Sequence, residues 1–353
     1  MESSFLQIKN LLLTELETYL QGLELPGYRA GQIFNWIYQK KVLKWEEMRN
    51  LPMEMRRLMT NLGMALGALT VDSQVTVDDG TTKFLFELAD GKRVESVFIP
   101  ETERNTVCFS TQVGCGMGCA FCATGKTGLT RNLTTAEIVD QIVRVGALTG
   151  KKLSNLVAMG QGEPLANYEA LLKAIRIINH PQGLGIGARR ITISTCGIVP
   201  AIFKLAAEPF QVNLAISLHA ADDLLRNRLL PINQKYPLNK LLEASRFYIK
   251  ATGRRVTYEY TLIDGVNDRP EDRENLIKLL RGMLCHINLI PFNRIPGVRF
   301  SRSRPLVIKE FAAALNRAGL ETTIRKERGG LLTAACGQLR NTRPESVASS
   351  EKR

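Results

Sequence analysis

Four of the seven cysteines in this 353-residue chain crowd into one stretch, Cys108-Phe-Ser-Thr-Gln-Val-Gly-Cys115-Gly-Met-Gly-Cys119-Ala-Phe-Cys122. The last three follow a C-x3-C-x2-C spacing. Gly114, Gly116 and Gly118 make the connecting backbone pliable enough to wrap one compact centre. Iron–sulfur cubanes are held by cysteine thiolates, normally four. A set of three leaves one iron with an open position for a small molecule. Structural zinc would want a fourth ligand and usually two C-x2-C pairs. Cys108 could serve as that ligand, although it falls in a stretch that reads as a strand. Inert thiols are the remaining alternative. A disulfide framework suits secreted chains, and no secretory signal is legible here.

The chain is long enough to bury a full core, as one large domain with an accessory part or as two domains. Its 44% hydrophobic and 23% charged content is ordinary for a globular protein. No apolar run approaches the roughly 20 residues needed to span a bilayer. The start (Glu2, Ser3, Ser4) lacks a basic, then apolar, leader. These features predict a cytoplasmic protein with no membrane partner, in a compartment that keeps thiols reduced. The formal net charge of +13 favours a polyanionic partner, nucleic acid first. A basic surface that serves only solubility is the plain alternative.

Residues 5–65 read as helices. Leu6, Leu11, Leu12, Leu13, Leu16 and Leu20 keep helical spacing until Gly22, and Ile33, Trp36 and Ile37 fit one buried face. Arg29, Lys40, Lys41, Lys44, Arg56 and Arg57 decorate the remainder, as a solvated face or a phosphate footprint. A β meander follows, with Asp79-Gly80 and Asp90-Gly91 as hairpin turns and Val94–Ile99 as its third strand. Glu95 in that strand reads, on pattern alone, as half-exposed.

From residue 106 the rhythm becomes strand then helix. Strands are expected at 106–111, 155–159, 190–194, 212–218, 256–263 and 287–291, with a short seventh at 322–325. Helices fall between them, the first opened by the Thr134-Thr-Ala-Glu137 capping box. Alternating units of this kind imply a parallel sheet with helices outside. Six of them make an α/β fold, an incomplete (β/α)6 barrel. Chemistry in such barrels gathers on loops at the C-terminal strand ends. There lie the cysteine loop, Gly160-Gln-Gly162-Glu163-Pro164, Ser194, Ser217-Leu218-His219 and Asn293. Each alone has a bland reading: a tight turn for the glycines, strand-end caps for the serines, a turn for Asn293, a satisfied structural histidine for His219. Their convergence on one rim argues for a single site.

The aromatic Phe121 before the last cysteine completes the pattern of the radical S-adenosylmethionine (SAM) enzymes. Cys108-x3-Gln112-x-Gly-Cys115, Gly162-Glu163-Pro164, Ser194-Thr-Cys-Gly197, Ser217-Leu-His219-Ala, Ile290-Pro-Phe-Asn293 and Ala334-Ala-Cys336-Gly-Gln-Leu339 together resemble the radical SAM RNA adenine methyltransferases, the RlmN/Cfr family. The resemblance runs from about residue 24 to about 340. Gln161 departs from it, standing where the family often has Met, and Cys196 adds a thiol near the rim.

The resemblance implies a [4Fe-4S] cluster on Cys115, Cys119 and Cys122. It implies a SAM site of Gly162, Glu163, Ser194, Ser217, Leu218, His219 and Asn293. Cys336 would carry the methyl group, Cys108 would be its partner, and Glu95 would match the family's candidate proton acceptor. Adenine C2 is electrophilic and lacks a lone pair, so direct polar transfer from SAM fails. The implied route methylates Cys336 with one SAM, makes a deoxyadenosyl radical from a second, and joins the S-methylene carbon to the ring. Cys108 then attacks the Cys336 sulfur and frees the product, as thiol exchange allows.

The implied partners are 23S rRNA at adenosine 2503, tRNA at adenosine 37, and an electron donor such as flavodoxin or ferredoxin. The alternatives are a C8-directed resistance enzyme and a non-catalytic RNA-binding iron–sulfur protein. On this reading residues 1–70 are a helical accessory region for RNA, 71–100 the meander, 101–325 the partial barrel, 326–340 the loop with Cys336 and 341–353 a disordered tail.

Overall fold

A computed structural model describes residues 7–326 and 337–339. Leu13–Gly22 (α1), Arg29–Phe34 (α2) and Met53–Asn61 (α3) are the N-terminal helices, and a π-helical turn, Asn35–Gln39, extends α2. Leu16 and Leu20 lie one turn apart and are both buried, as their spacing predicts. Ile33 and Ile37 are fully buried too, joined by Phe34 and Tyr38, while Trp36 is only half-buried. Phe34 and Tyr38 therefore serve the core rather than base stacking.

The meander comprises Leu69–Thr76 (β1), Thr82–Leu88 (β2) and Arg93–Pro100 (β3), all antiparallel. Gly80 and Gly91 take φ of +78° and +74° at its turns, where a side chain would be strained. Asp79 and Asp90 carboxylates accept from the N–H groups of Thr81 and Lys92 two residues on. β3 also pairs antiparallel with Asn105–Cys108 (β4), so the meander is continuous with the main sheet. The strand expected to reach residue 111 ends as β4 at Cys108. Gln112–Cys115 (β5) leaves the sheet, passes through the short helix Ala123–Lys126 (α4), and pairs with Gly128–Asn132 (β6) in a separate ribbon.

The remaining units are Thr135–Thr149 (α5), Asn155–Ala158 (β7), Tyr168–Asn179 (α6), Ile191–Thr195 (β8), Val199–Ala206 (α7), Asn213–Ser217 (β9), Asp223–Leu229 (α8), Leu238–Thr252 (α9), Val256–Leu262 (β10), Pro270–Leu280 (α10), Cys285–Pro291 (β11), Pro305–Arg317 (α11) and Thr322–Ile324 (β12). The ten-stranded sheet runs β1-β2-β3-β4-β7-β8-β9-β10-β11-β12 and is parallel from β4 onward. This is the open, incomplete barrel of six βα units, with β12 as the short seventh strand. The α5 capping box is present. Thr134 N–H donates to Glu137 Oε2 (2.8 Å) and Glu137 N–H to Thr134 Oγ1 (3.2 Å).

One hydrophobic core runs from the N-terminal helices (Ile8, Leu16, Met59) through α5 (Val139, Ile142) into the strands (Leu156, Ile193, Leu214). A buried polar staple crosses the same boundary. The Asp140 carboxylate of α5 pairs with Lys9 and Arg144 and accepts from Ala68 N–H (2.7 Å) and Leu69 N–H (3.0 Å). No helix among the described residues is long and apolar enough to cross a membrane.

Candidate active site

A cavity of about 430 Å³ opens over the C-terminal ends of the parallel strands, within the range of small-molecule sites. Cys108, Cys119, Cys122, Gly162, Glu163, Ser194, Ser217, His219 and Asn293 all line it. Nine residues scattered over almost 190 positions of chain therefore meet at one place, as the strand-end argument requires. Cys115 and Leu218 are buried beside the cavity rather than in its wall. Glu95 is fully buried, correcting the half-exposed reading. Cys336 lies outside the described residues, as does the 341–353 tail. Gly337 and Leu339, which follow Cys336, line the same cavity.

The cysteine loop is tied down on its C-terminal side. Ala120 N–H donates to Leu229 O (3.0 Å), and Ala123 N–H to Gly337 O (2.7 Å). Burial pushes the Cys115 thiol up to about 12, and Cys119, Cys122 and Glu163 stand close enough to add to the effect. Cys122 is raised for the same reason, with Cys119 next. Three thiolates can persist here only if a cationic centre offsets their charge, which iron supplies. A cubane takes its ligands from cysteine thiolates, and the C-x3-C-x2-C motif supplies three of them. The donor set fits the cluster.

Cys196 adds a thiol that the motif does not demand. Its Sγ lies 3.7 Å from Cys119 Sγ. The contact with Cys119, then burial, raises the Cys196 thiol well above its ordinary value.

Glu163 faces inward. Its carboxylate accepts from Cys196 N–H (2.8 Å) and Leu165 N–H (3.1 Å), and burial raises it. Gly162 before it has φ +102°, and a Cβ there would stand 2.7 Å from Gln112 Cβ and 2.8 Å from its backbone nitrogen. Only glycine lets the chain pass this close. Gln112 then clamps the turn, its Oε1 accepting from Glu163 N–H (2.8 Å) and its Nε2 donating to Asn132 on β6 (2.7 Å).

His219 is in the left-handed region at φ +57°. Its Nδ1 accepts from Thr261 N–H (2.9 Å), which places the neutral ring's proton on Nε2. Burial, and secondarily Arg226, push the imidazole down to about 3. Its ring meets Phe121 edge-on with centroids 4.5 Å apart, joining the cysteine loop to the β9 end.

Several residues of the site carry no sequence signal. Arg226 is fully buried and donates to Cys196 O (2.9 Å), Ser217 O (3.0 Å), Leu218 O (3.1 Å) and Asn233 Oδ1 (2.6 Å). It rivets the β8 and β9 ends, and burial pushes it down to about 10. Lys83 on β2, also buried, forms an ion pair with Glu95 at 2.7 Å. An arginine on a charged helix and a lysine in a meander both read as surface residues. Arg104, Arg302, Arg325 and Lys326 give the cavity's lining a cationic share.

Two families match the chain: the Radical SAM superfamily over residues 109–280 and the ribosomal RNA large subunit methyltransferase N-terminal domain over residues 6–65. A probable dual-specificity RNA methyltransferase RlmN of Geobacillus kaustophilus (strain HTA426) is 48% identical over 338 residues, spanning 94% of this chain and 92% of that protein. The protein of the same description from Thermoanaerobacter sp. (strain X514) is 45% identical over 333 residues, spanning 94% and 97%. The crystal structure of a radical SAM methyltransferase from Sphaerobacter thermophilus superposes with a TM-score of 0.92 at 48% identity, covering 96% of this chain and all of that one.

Proposed function

Because the chain belongs to the RlmN family of radical SAM RNA methyltransferases, we propose that it methylates C2 of adenosine 2503 in 23S rRNA and of adenosine 37 in tRNA, by way of a methyl group carried on Cys336. The observation that carries this reading is one cavity shared by Cys108, by Cys119 and Cys122, and by Gly337 and Leu339. Cys108 packs in an apolar cluster with Leu339 and Val97. A resolving thiol beside the segment that bears the methyl carrier is what the route needs.

Cys115, Cys119 and Cys122 hold the [4Fe-4S] cluster, and Gly162, Glu163, Ser194, Ser217, Leu218, His219 and Asn293 hold SAM. Together these cofactors supply a methyl group and, from a second SAM, a radical able to take hydrogen from a methyl thioether. The chain's own residues do the rest. The Cys336 sulfur takes the methyl group and presents it to the adenine. The Glu95 carboxylate accepts the C2 proton. The Cys108 thiolate attacks the Cys336 sulfur, forming a disulfide and breaking the bond from that sulfur to the methylene carbon, which leaves with the base and takes up a proton to become its methyl group. His219 stays neutral, so its Nε2–H is a hydrogen-bond donor at the SAM site. A small electron-transfer protein such as flavodoxin or ferredoxin would be the partner that supplies the cluster's electron.

The test is incubation of anaerobically reconstituted protein with methyl-labelled SAM and either 23S rRNA or tRNA, followed by nucleoside analysis. Label in 2-methyladenosine from both RNAs is expected. Label at C8 would overturn the regiochemistry, and label from one RNA alone would overturn the dual specificity.

A further inference from the structure

We propose that Lys83 is a positioning residue for the RNA half of the reaction, holding the Glu95 carboxylate in the orientation that receives the C2 proton. The proposal rests on Glu95 being that proton acceptor.

The register of the sheet places the pair. Lys83 on β2 is opposite Val97 on β3, Val97 is opposite Cys108 on β4, and Cys108 is beside Val157 on β7. Residues paired in this way share a face. Val97, Cys108 and Val157 all line the cavity, and Lys83 continues their row, buried just beyond the lining residues. Glu95 is two residues before Val97 and points to the same face. The ion pair therefore lies on the face of the meander that carries the cavity-lining Val97 and Cys108, one layer behind the lining, and not on its outer face.

Both members are essentially solvent-free, at 1% and 0% side-chain exposure. Burying two charges is expensive, and an apolar pair of similar volume often serves stability equally well. Stability alone thus gives little reason for a lysine and a glutamate here. A fixed ammonium 2.7 Å from one carboxylate oxygen limits how the carboxylate can rotate. The backbone on either side is fixed as well. Glu95 O accepts from Ser110 Oγ at 2.6 Å, and Glu95 N–H donates to Gln161 Oε1 at 3.4 Å. Proton transfer from carbon needs a base held in line with the C–H bond. In that step the C2–H bond breaks, its electron pair stays with the ring and its proton passes to a Glu95 oxygen; the adduct's unpaired electron would leave to the iron–sulfur cluster, a one-electron carrier, and Lys83 keeps its own protons.

Four variants test this: Glu95→Gln, Lys83→Met, Lys83→Arg and the double Lys83→Met/Glu95→Gln. Each is reconstituted with iron and sulfide and given SAM and 23S rRNA. S-methylation of the protein, read by mass, precedes the proton step and is expected to match the parent in Lys83→Met. RNA methylation by Lys83→Met is expected to fall on the order of tenfold to a hundredfold, the scale of a misplaced general base. With deuterium at adenine C2, Lys83→Met is expected to show a larger isotope effect than the parent, because C–H cleavage becomes slower. Lys83→Arg restores most of the rate, and the double variant is no slower than Glu95→Gln alone.

Parental RNA methylation by Lys83→Met overturns the proposal. So does an isotope effect that does not grow, or joint loss of S-methylation and RNA methylation that the double variant reverses, which marks a purely structural pair. Parental RNA methylation by Glu95→Gln overturns the proton-acceptor reading itself. A slow Glu95→Gln beside a parental Lys83→Met leaves that reading standing and removes only the role of Lys83.

Discussion

His219 shows how a single side chain ties stability to pH. Its imidazole is neutral in the fold and pushed down to about 3 by burial and by Arg226. Unfolded, it would take up a proton near its ordinary value of about 6.5. A depressed value in the fold means that its contribution is complete above about 6.5 and is lost as pH falls toward 3. His219→Gln should flatten the fall in chemical-denaturation stability between pH 6.5 and 4.5, and an unchanged slope would contradict this.

The paired cysteines give a sharper expectation. Cys336→Ala should yield neither methylated protein nor methylated RNA. Cys108→Ala should keep the methyl on Cys336 yet stall as a covalent protein–RNA complex that survives denaturation and disappears on nuclease digestion. Turnover by Cys108→Ala at the parental rate would remove the resolving role. Motif spacing made Cys108 and His219 legible as neighbours, and both line the cavity. The strand pattern misread Glu95, since the partner that permits its burial, Lys83, sits on a different strand and no local pattern links the two.

At the scale of elements, the βα rhythm was legible to within a residue or two at most strand ends, because apolar runs and the Thr134–Glu137 box are local signals. The β5–β6 ribbon was not. Gly-Leu-Thr-Arg-Asn in β6 is largely exposed and lacks alternation, and its pairing with Gln112–Cys115 depends on a loop folding back. The Asp140 staple was equally hidden, because its donors come from residue 9, the 68–69 backbone and α5 itself. Replacing Asp140 by Ala leaves Lys9 buried without its partner. Removing one member of such a pair costs about 3–5 kcal/mol. Asp140→Ala should therefore lower the thermal midpoint and speed limited proteolysis between residues 62 and 68. Iron content should remain near the parental value, since the cysteine loop lies on another part of the barrel. Proteolysis unchanged from the parent would show that the shared hydrophobic core alone holds the N-terminal helices.

For the whole molecule the governing quantity is the net charge of +13, and the structure divides those cations by task. Lys9 is consumed by Asp140, and Arg226 by four carbonyl oxygens. Lys41 is partly consumed too, donating to Gly146 O of α5 at 3.0 Å. By contrast Lys40, Lys44 and Arg57 on the N-terminal helical part are exposed. An RNA substrate recruits exposed cations of this kind at the least cost, since no internal partner has to be given up. Affinity should then fall with salt by about 0.7 log units per phosphate contact per log unit of salt, the single-strand value. Lys40→Ala/Lys44→Ala/Arg57→Ala should weaken binding of RNA fragments of unrelated sequence by similar factors and make the salt slope shallower by up to three such increments. Iron content and S-methylation of the protein should stay at parental levels, because none of the three residues lines the cavity. Deleting the helices outright would not isolate this effect, since Ile8, Leu16 and Met59 belong to the barrel's own core. An unchanged salt slope in the triple variant would move the RNA footprint elsewhere. The cavity's own cations, Arg104, Arg302, Arg325 and Lys326, would then be the next set to neutralise.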